Sequence, residues 1–285
     1  MRIGITGFCT DDTLHPVALA RAVEGRGFDS LWLPEHSHIP VSRTTPWPGS
    51  LTGEPLPDYY WRNQDAFVAL SMAAAVTERL LLGTSITLVA QRDPIWLAKQ
   101  VASLDHLSGG RVILGVGYGW NREEAENHGA DWANRRAIVR ERVLTMRSLW
   151  TDEVASYEGA FVRVAPSWAK PKPVQPGGPK IILGGGWGPK LMASIAEWGD
   201  GWMPISARPT LAKRLATLRE ACEVAGRDFA EMEITVMGAT EDPRGLEQLA
   251  SEGVQRAALT LWPAPPDVHM RQLDAWAPLA AQFSS

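Results

Sequence analysis

A chain of 285 residues and 31.2 kDa, 45% of it hydrophobic, holds enough apolar material for a full-sized core, and nothing in its composition points to disorder. A net charge of -4 and a pI near 5.9 leave no basic footprint, which argues against nucleic acid or an acidic lipid surface as partner. No apolar run is long enough to span a bilayer, and the MRIGITGF start lacks the basic and apolar regions of a signal peptide, so a cytoplasmic protein acting on a small molecule is expected.

Residues 2–7 alternate as a first strand, and 14–26 follow helical spacing closed by Gly27. A second strand over 28–33 runs directly into Pro34, Glu35, His36, Ser37 and His38. The stretch 39–61, rich in Pro, Gly, Thr and aromatic residues, shows neither period and predicts a long loop across the mouth of whatever lies below. Trp47, Tyr59, Tyr60 and Trp61 predict that this loop is packed. A helix over 64–77 and a strand over 79–89 follow, with Gly83 inside the strand marking a bulge or a close approach of ligand. Pro94 opens a helix over 95–107, Ser108, Gly109 and Gly110 turn the chain, and Val112, Ile113, Leu114 and Val116 form a strand apolar on both faces. Its exit carries Gly115, Gly117 and Gly119 on alternate positions, a side-chain-free edge against which a flat ligand can lie, before Trp120, Asn121 and a helix start with Glu123 and Glu124.

An amphipathic helix over 133–150 comes next, then a hairpin over 151–164 turning at Glu158 and Gly159, then a surface linker over 166–179 with five prolines. Strands over 180–183, 201–205, 233–237 and 256–261 are each followed by a helix, over 189–198, 210–225, 243–251 and 266–282. The tally of about eight strands, each followed by a helix, is the pattern of a (β/α)8 TIM barrel with an inserted hairpin segment, expected as one domain over 1–285. An open doubly wound sheet usually needs fewer units at this length, and GVGYG lacks the spacing of a dinucleotide fingerprint.

In such a barrel the C-terminal strand ends carry the site, which gathers Glu35, His36 and His38, residues 84–87, residues 115–121 and residues 184–188 at one mouth. His36 is the candidate for proton transfer, because a neutral imidazole near pH 7 gives or takes a proton; a structural histidine is the alternative. Glu35 either orients that imidazole or caps the loop. His36 and His38 spell H-x-H, but the later strand ends bring no further ligands, so no metal is expected. Residues 184–190, GGGWGPK, place a glycine lip before a helix opened by Pro189, which suits a phosphate or is a plain turn. A flat-headed, phosphate-bearing ligand that uses both lips has the shape of a flavin. The thirteen tryptophans fill core and subunit interface, or some wall a cavity for such a ligand; Cys9 and Cys222 read as reduced and structural.

Taken in order, LWLPEHSHIP, LLLGTSITLVAQRDP, LDHLSGGR with GVGYGW, the Leu149-Trp150 pair, PKPVQPGGPKIILGGGW and the GDGW at 199–202 resemble the bacterial luciferase-like flavin-dependent oxidoreductases over nearly the whole chain. The pattern is most similar to the branch that uses the deazaflavin coenzyme F420 in place of FMN. The resemblance implies a TIM barrel, usually a homodimer, and hydride transfer between coenzyme F420 and a small organic substrate. A monooxygenase using reduced FMN and oxygen is the alternative, and a flavin-binding barrel without activity a third. Glu35 and His36 match the acidic–His pair beside the reacting ring, and Ser85 and Ile86 match the place where relatives hold a non-proline cis peptide under it. Gly115, Gly117 and Gly119 match the wall beside the coenzyme and Gly184, Gly185 and Gly186 its phosphate site; Thr84, Tyr118, Trp120 and Asn121 are counted with them as cofactor-binding. Sugar-phosphate dehydrogenases of this branch carry a protonating glutamate after GVGxG, where this chain has Trp120, which argues against a sugar phosphate. Glu123 and Glu124, adjacent in a helix start, are expected to be solvated partners of the helix dipole.

Overall fold

The computed structural model describes residues 1–49, 53–205 and 211–283 of the chain. Its strands are β1 (Arg2–Gly7), β2 (Ser30–Leu33), β3 (Leu81–Thr84), β4 (Val112–Val116), β5 (Ala155–Glu158), β6 (Arg163–Ser167), β7 (Lys180–Gly184), β8 (Gly201–Met203), β9 (Glu233–Met237) and β10 (Arg256–Leu261). All but β5 and β6 pair in parallel and close in the order β1-β10-β9-β8-β7-β4-β3-β2, while β5 and β6 form an antiparallel hairpin of their own. Around the barrel run α1 (Pro16–Gly25), α2 (Tyr59–Arg62), α3 (Ala66–Ala74), α4 (Pro94–Ser108), α5 (Arg122–Asn127), α6 (Arg135–Thr151), α7 (Pro189–Trp198), α8 (Leu211–Val224), α9 (Pro243–Ser251) and α10 (Pro266–Phe283). The expected (β/α)8 TIM barrel with an inserted hairpin is the fold that forms. Among the described residues no helix is long and apolar enough to cross a membrane.

Strand residues alternate between two cores. Ile3, Ile5, Leu31, Leu114 and Leu183 join the helices in the outer shell, whereas Trp32, Ile113, Ile182, Met203, Met237 and Ala258 fill the barrel axis with Ile86 packed on them. Trp32 is fully buried, and its Nε1 donates to Ser30 Oγ at 2.8 Å. A Cβ on Gly83 would stand 2.1 Å from the Trp32 ring. Gly83 therefore clears room for an indole; it marks neither a bulge nor a ligand. With the axis filled, only the rim is left for chemistry.

The N-terminal end of the barrel is closed by charge. Arg256, 4% exposed, donates to both Asp29 and Glu233, and Lys180 reaches Glu233 Oε2 at 2.9 Å.

Boundaries move where side chains intervene. Asp65 caps α3 by accepting from Val68 N at 2.9 Å, so that helix starts two residues after the expected Gln64. The strand expected over 79–89 ends at Thr84; the Ser85–Ile86 peptide bond is cis, and a short 3-10 turn follows at Val89–Gln91. The hairpin sits later than expected, with Pro166 in its edge strand, because Glu141 on α6 accepts from the N–H groups of Ala160, Phe161 and Val162 at 2.7–2.9 Å and fixes the turn. The proline-rich segment after it is pinned: the fully buried Asp105 accepts from Val174 N at 2.9 Å and Gln175 N at 3.2 Å. Residues 50–52 of the expected 39–61 loop and Thr210, the expected start of α8, lie outside the described residues.

Candidate active site

His36 follows β2 at the C-terminal rim, its side chain 7% exposed. Its Nδ1 lies 2.8 Å from Oε2 of Glu124, a side chain with no exposure at all. On the far side of the ring, Trp120 Nε1 donates to His36 Nε2 at 3.3 Å. An indole N–H is a donor only, so Nε2 is the accepting nitrogen and Nδ1 carries the ring proton that it donates to Glu124. Asn121 caps α5 by accepting from Glu124 N at 3.3 Å, and Ser37 N donates to Glu124 Oε1 at 3.0 Å. Both oxygens of the buried carboxylate are thus engaged, which offsets the several kcal/mol, roughly, that taking its charge out of water costs.

Two expectations are corrected here. Glu124 is not a solvated dipole partner but the buried carboxylate of the site. Glu35 does not orient His36: it accepts from Arg92 Nε and, at 3.0 Å, from Leu88 N, while Arg92 also bonds Asp65 at 2.9 Å. Burial works against the Arg92 charge, but Glu35 and Asp65 outweigh it and hold the guanidinium above its ordinary pKa. The physical reason is that neighbours on extended backbone point to opposite sides, so a carboxylate next to a histidine in sequence faces away from it. A signal for Glu124 did exist, since Asn121 and Glu124 stand three apart, the spacing of a capping box. His38 does not join His36 as a ligand pair either; its Nδ1 meets Ser37 Oγ and its Nε2 meets Asn127 Nδ2, both at 2.9 Å. No three His, Cys, Asp or Glu side chains among the described residues are grouped to hold a metal.

Aromatic rings surround His36. Tyr60 on α2 lies 5.3 Å from its ring and 6.1 Å, edge-on, from Trp120, with Trp47 5.9 Å from Tyr60. Phe8 after β1 and Trp262 after β10, neither anticipated from sequence, pack on Tyr59 at 4.5 and 6.1 Å. The loop across the mouth is fastened by Glu123, whose Oε1 accepts from Thr44 N at 2.7 Å, Thr44 Oγ1 at 2.9 Å and Thr45 N at 3.0 Å. Burial works against that carboxylate, yet the bonds from Thr45 and Thr44 bring its pKa down to about 2.

The glycines form a different surface from the bare edge expected. Ile86 lies between two of them: a Cβ on Gly117 would stand 2.3 Å from Ile86 Cδ1 and one on Gly184 2.5 Å from Ile86 Cγ2. A Cβ on Gly115 would meet Thr84 O at 1.9 Å. These glycines let β3, β4 and β7 close up at the rim, and the apolar floor there is Ile86. They also place Gly117 and Gly184 side by side. Beyond them, at Gly186 and Gly188, an added Cβ meets nothing within 4 Å, and Gly188 caps α7. Arg214 of α8 brings its guanidinium over the Trp187 ring at 5.4 Å, a cation at this lip that the sequence reading missed. Of the remaining expected contacts, Thr84 Oγ1 donates to Gly115 O at 2.9 Å, Ser85 Oγ pairs with Thr6 Oγ1 at 3.2 Å, and Gly119 takes a φ of 73° with Leu88 beside it. Gly185 donates to Met203 O at 3.3 Å, and Tyr118 packs on the shell core beneath Arg136 at 4.2 Å.

Residues 12–241 match the family model described as luciferase-like monooxygenase. An uncharacterized protein of Mycobacterium tuberculosis is 40% identical over 254 residues, 89% of either chain. The monooxygenase RslO1 from Streptomyces bottropensis has a similar structure, with a TM-score of 0.81 at 20% identity over 100% of both chains. An F420-dependent secondary alcohol dehydrogenase in complex with an F420-acetone adduct gives 0.76 at 19% identity over 98% of this chain and 99% of that one. The two structural likenesses establish the fold. With the family match running through most of its length, the chain belongs to the luciferase-like monooxygenase family.

Proposed function

We propose that the chain is an oxidoreductase that binds coenzyme F420 at the barrel mouth and passes a hydride between it and a small, apolar organic substrate. The observation that carries this reading is the His36 ring, held at Nδ1 by a buried carboxylate while Nε2 faces Trp120 at the barrel rim, with Tyr60 against the ring. That is the arrangement of a proton carrier.

The residues present fit the coenzyme. Open backbone at Gly186 and Gly188, at the start of α7 and near Lys190 and Arg214, suits a phosphate, and Ile86 offers an apolar floor for a flat ring. Bound there, the deazaflavin supplies the hydride chemistry. The chain supplies orientation, exclusion of water and the proton. His36 Nε2 accepts the proton of a substrate hydroxyl as that carbon is oxidised, or returns it in the reverse direction. The substrate hydroxyl takes the donor position held by the Trp120 indole. Glu124 offsets the charge the ring gains, through a charge-assisted hydrogen bond of about 1.5–3 kcal/mol. Tyr60 and Trp120 lie against the His36 ring and keep water from it.

Fluorescence titration is expected to show micromolar or tighter binding of coenzyme F420 and no uptake of FMN. Gly186→Leu, whose Cβ would meet nothing within 4 Å, is expected to weaken that binding at least about tenfold, or 1.4 kcal/mol, at an unchanged melting temperature. FMN uptake in place of coenzyme F420 would overturn the reading in favour of a monooxygenase using reduced FMN and oxygen. Uptake of neither would remove flavin chemistry altogether.

The same reading carries a homodimer. Val68 and Met72 on α3 and Ile95, Trp96 and Leu107 on α4 expose apolar side chains on two neighbouring helices, Trp96 at 70%. Light scattering is expected to give twice the chain mass of 31.2 kDa; a monomer at micromolar concentration would rule this assembly out.

A further inference from the structure

Ser37, between the two histidines of H-x-H, makes contacts that the proton chemistry at His36 does not by itself require. Its Oγ lies 2.6 Å from His128 Nε2, 2.9 Å from His38 Nδ1 and 3.4 Å from Glu124 Oε1. A hydroxyl has one hydrogen, and the network decides where it goes. His38 Nε2 meets the Asn127 amide nitrogen, a donor, so it accepts, and His38 Nδ1 carries the proton and donates to Ser37. The Ser37 hydrogen is then free to go to His128 Nε2, the shortest of the three contacts. His128 is exposed on the surface, whereas Glu124 and His36 at the other end of the chain of contacts are buried.

We propose that Glu124 and Ser37 are positioning residues for His36, and that Ser37 links them to His128 so that the charge on His128 sets how firmly Glu124 holds the His36 ring. The proposal rests on the reading of His36 as the proton carrier. When His128 takes a proton from solvent, its Nε2 becomes a donor. Ser37 Oγ then accepts from both imidazoles, and its own hydrogen turns to the acceptor that remains, Glu124 Oε1. An added donor on Oε1 withdraws charge from Oε2 and loosens its bond to His36 Nδ1; the new positive charge acts in the same direction. The titratable groups that face His128 are His38, Glu124 and Arg92. Burial, with His38 and the Arg92 guanidinium acting in the same direction and Glu124 against them, holds the His128 pKa below the ordinary histidine value, so at neutral pH the ring is an acceptor.

The test begins with the protein alone. Nitrogen-15 NMR of the histidine rings is expected to show His36 protonated on Nδ1 and, as pH falls, an inflection in its shift at the pH where His128 titrates. Ser37→Ala and His128→Gln are expected to remove that inflection and leave the His36 proton on Nδ1. An inflection that survives in Ser37→Ala, or one absent from the wild type, would overturn the link. In turnover, Glu124→Gln is expected to lower kcat roughly 10²-fold with KM unchanged, and His128→Gln to move the acid limb of the pH profile to lower pH. Should Glu124→Gln fail to fold, Ser37→Ala decides, since that side chain lies at the surface. An intact NMR coupling in a protein with no deazaflavin activity would sink the functional reading and leave the link standing; the converse result would do the reverse.

Discussion

His36→Asn is expected to lower kcat for hydride transfer by about 10²–10⁴-fold, the range by which a positioned acid or base accelerates a step, with coenzyme affinity unchanged. Asparagine is the informative replacement because alanine would leave Glu124 fully buried with the Ser37 N–H as its donor. Stranding a buried charge costs about 3–5 kcal/mol, enough to confuse unfolding with lost chemistry. An amide keeps a donor near Oε2 and removes the titrating nitrogen. Turnover within about threefold of wild type, a difference of less than 1 kcal/mol, would show that His36 carries no proton.

At the other end of the barrel, Arg256→Met is expected to destabilise the fold by about 3–5 kcal/mol and to lower Tm by roughly 10 °C, with kcat of the folded enzyme unchanged. Arg256 holds both Asp29 and Glu233, and methionine keeps the volume but leaves two carboxylates with only Lys180 and Arg2 nearby. Burial works against the Glu233 charge, but Arg256 and Lys180 outweigh it and keep its pKa below the ordinary carboxylate value. A carboxyl depressed in the folded state contributes stability that is present above its unfolded pKa and fades as pH falls through the folded one. Wild-type Tm is therefore expected to drop on acidification below the ordinary carboxylate range, and the Arg256→Met profile to be flatter there. Equal slopes in calorimetry at several pH values would refute the assignment of this network to stability.

Local periodicity carried the architecture, because a strand buried on both faces, such as Val112–Val116, and a 15-residue helix opened by Pro94 and closed at Gly109 declare themselves within short stretches of chain. The site was legible in position but not in partnership. Glu35 adjoins His36 in the chain and faces away from it; Glu124, 88 residues on, faces it. Gly83 clears space for Trp32, and Gly117 and Gly184 do so for Ile86, contacts between strands that no window along the sequence contains. Several motif residues that carry the family resemblance have packing roles: Asp105 pins the proline-rich segment, and Arg111 donates to Ser108 O, Leu80 O, Ala74 O and Thr77 Oγ1. Such motifs announce the barrel more directly than the reaction it hosts.

The fastening of the mouth loop by Glu123 has a bearing on ionic strength. Its Oε1 is gripped by two amides and a hydroxyl, all uncharged, so added salt has little to screen there. The lip beyond Gly186, where Lys190 and Arg214 stand, is the part of the rim that dissolved ions weaken. On the proposed reading, salt acts on the two sides of one opening unequally, weakening the hold on an anionic tail at the lip while the Glu123 contacts to Thr44 and Thr45 persist.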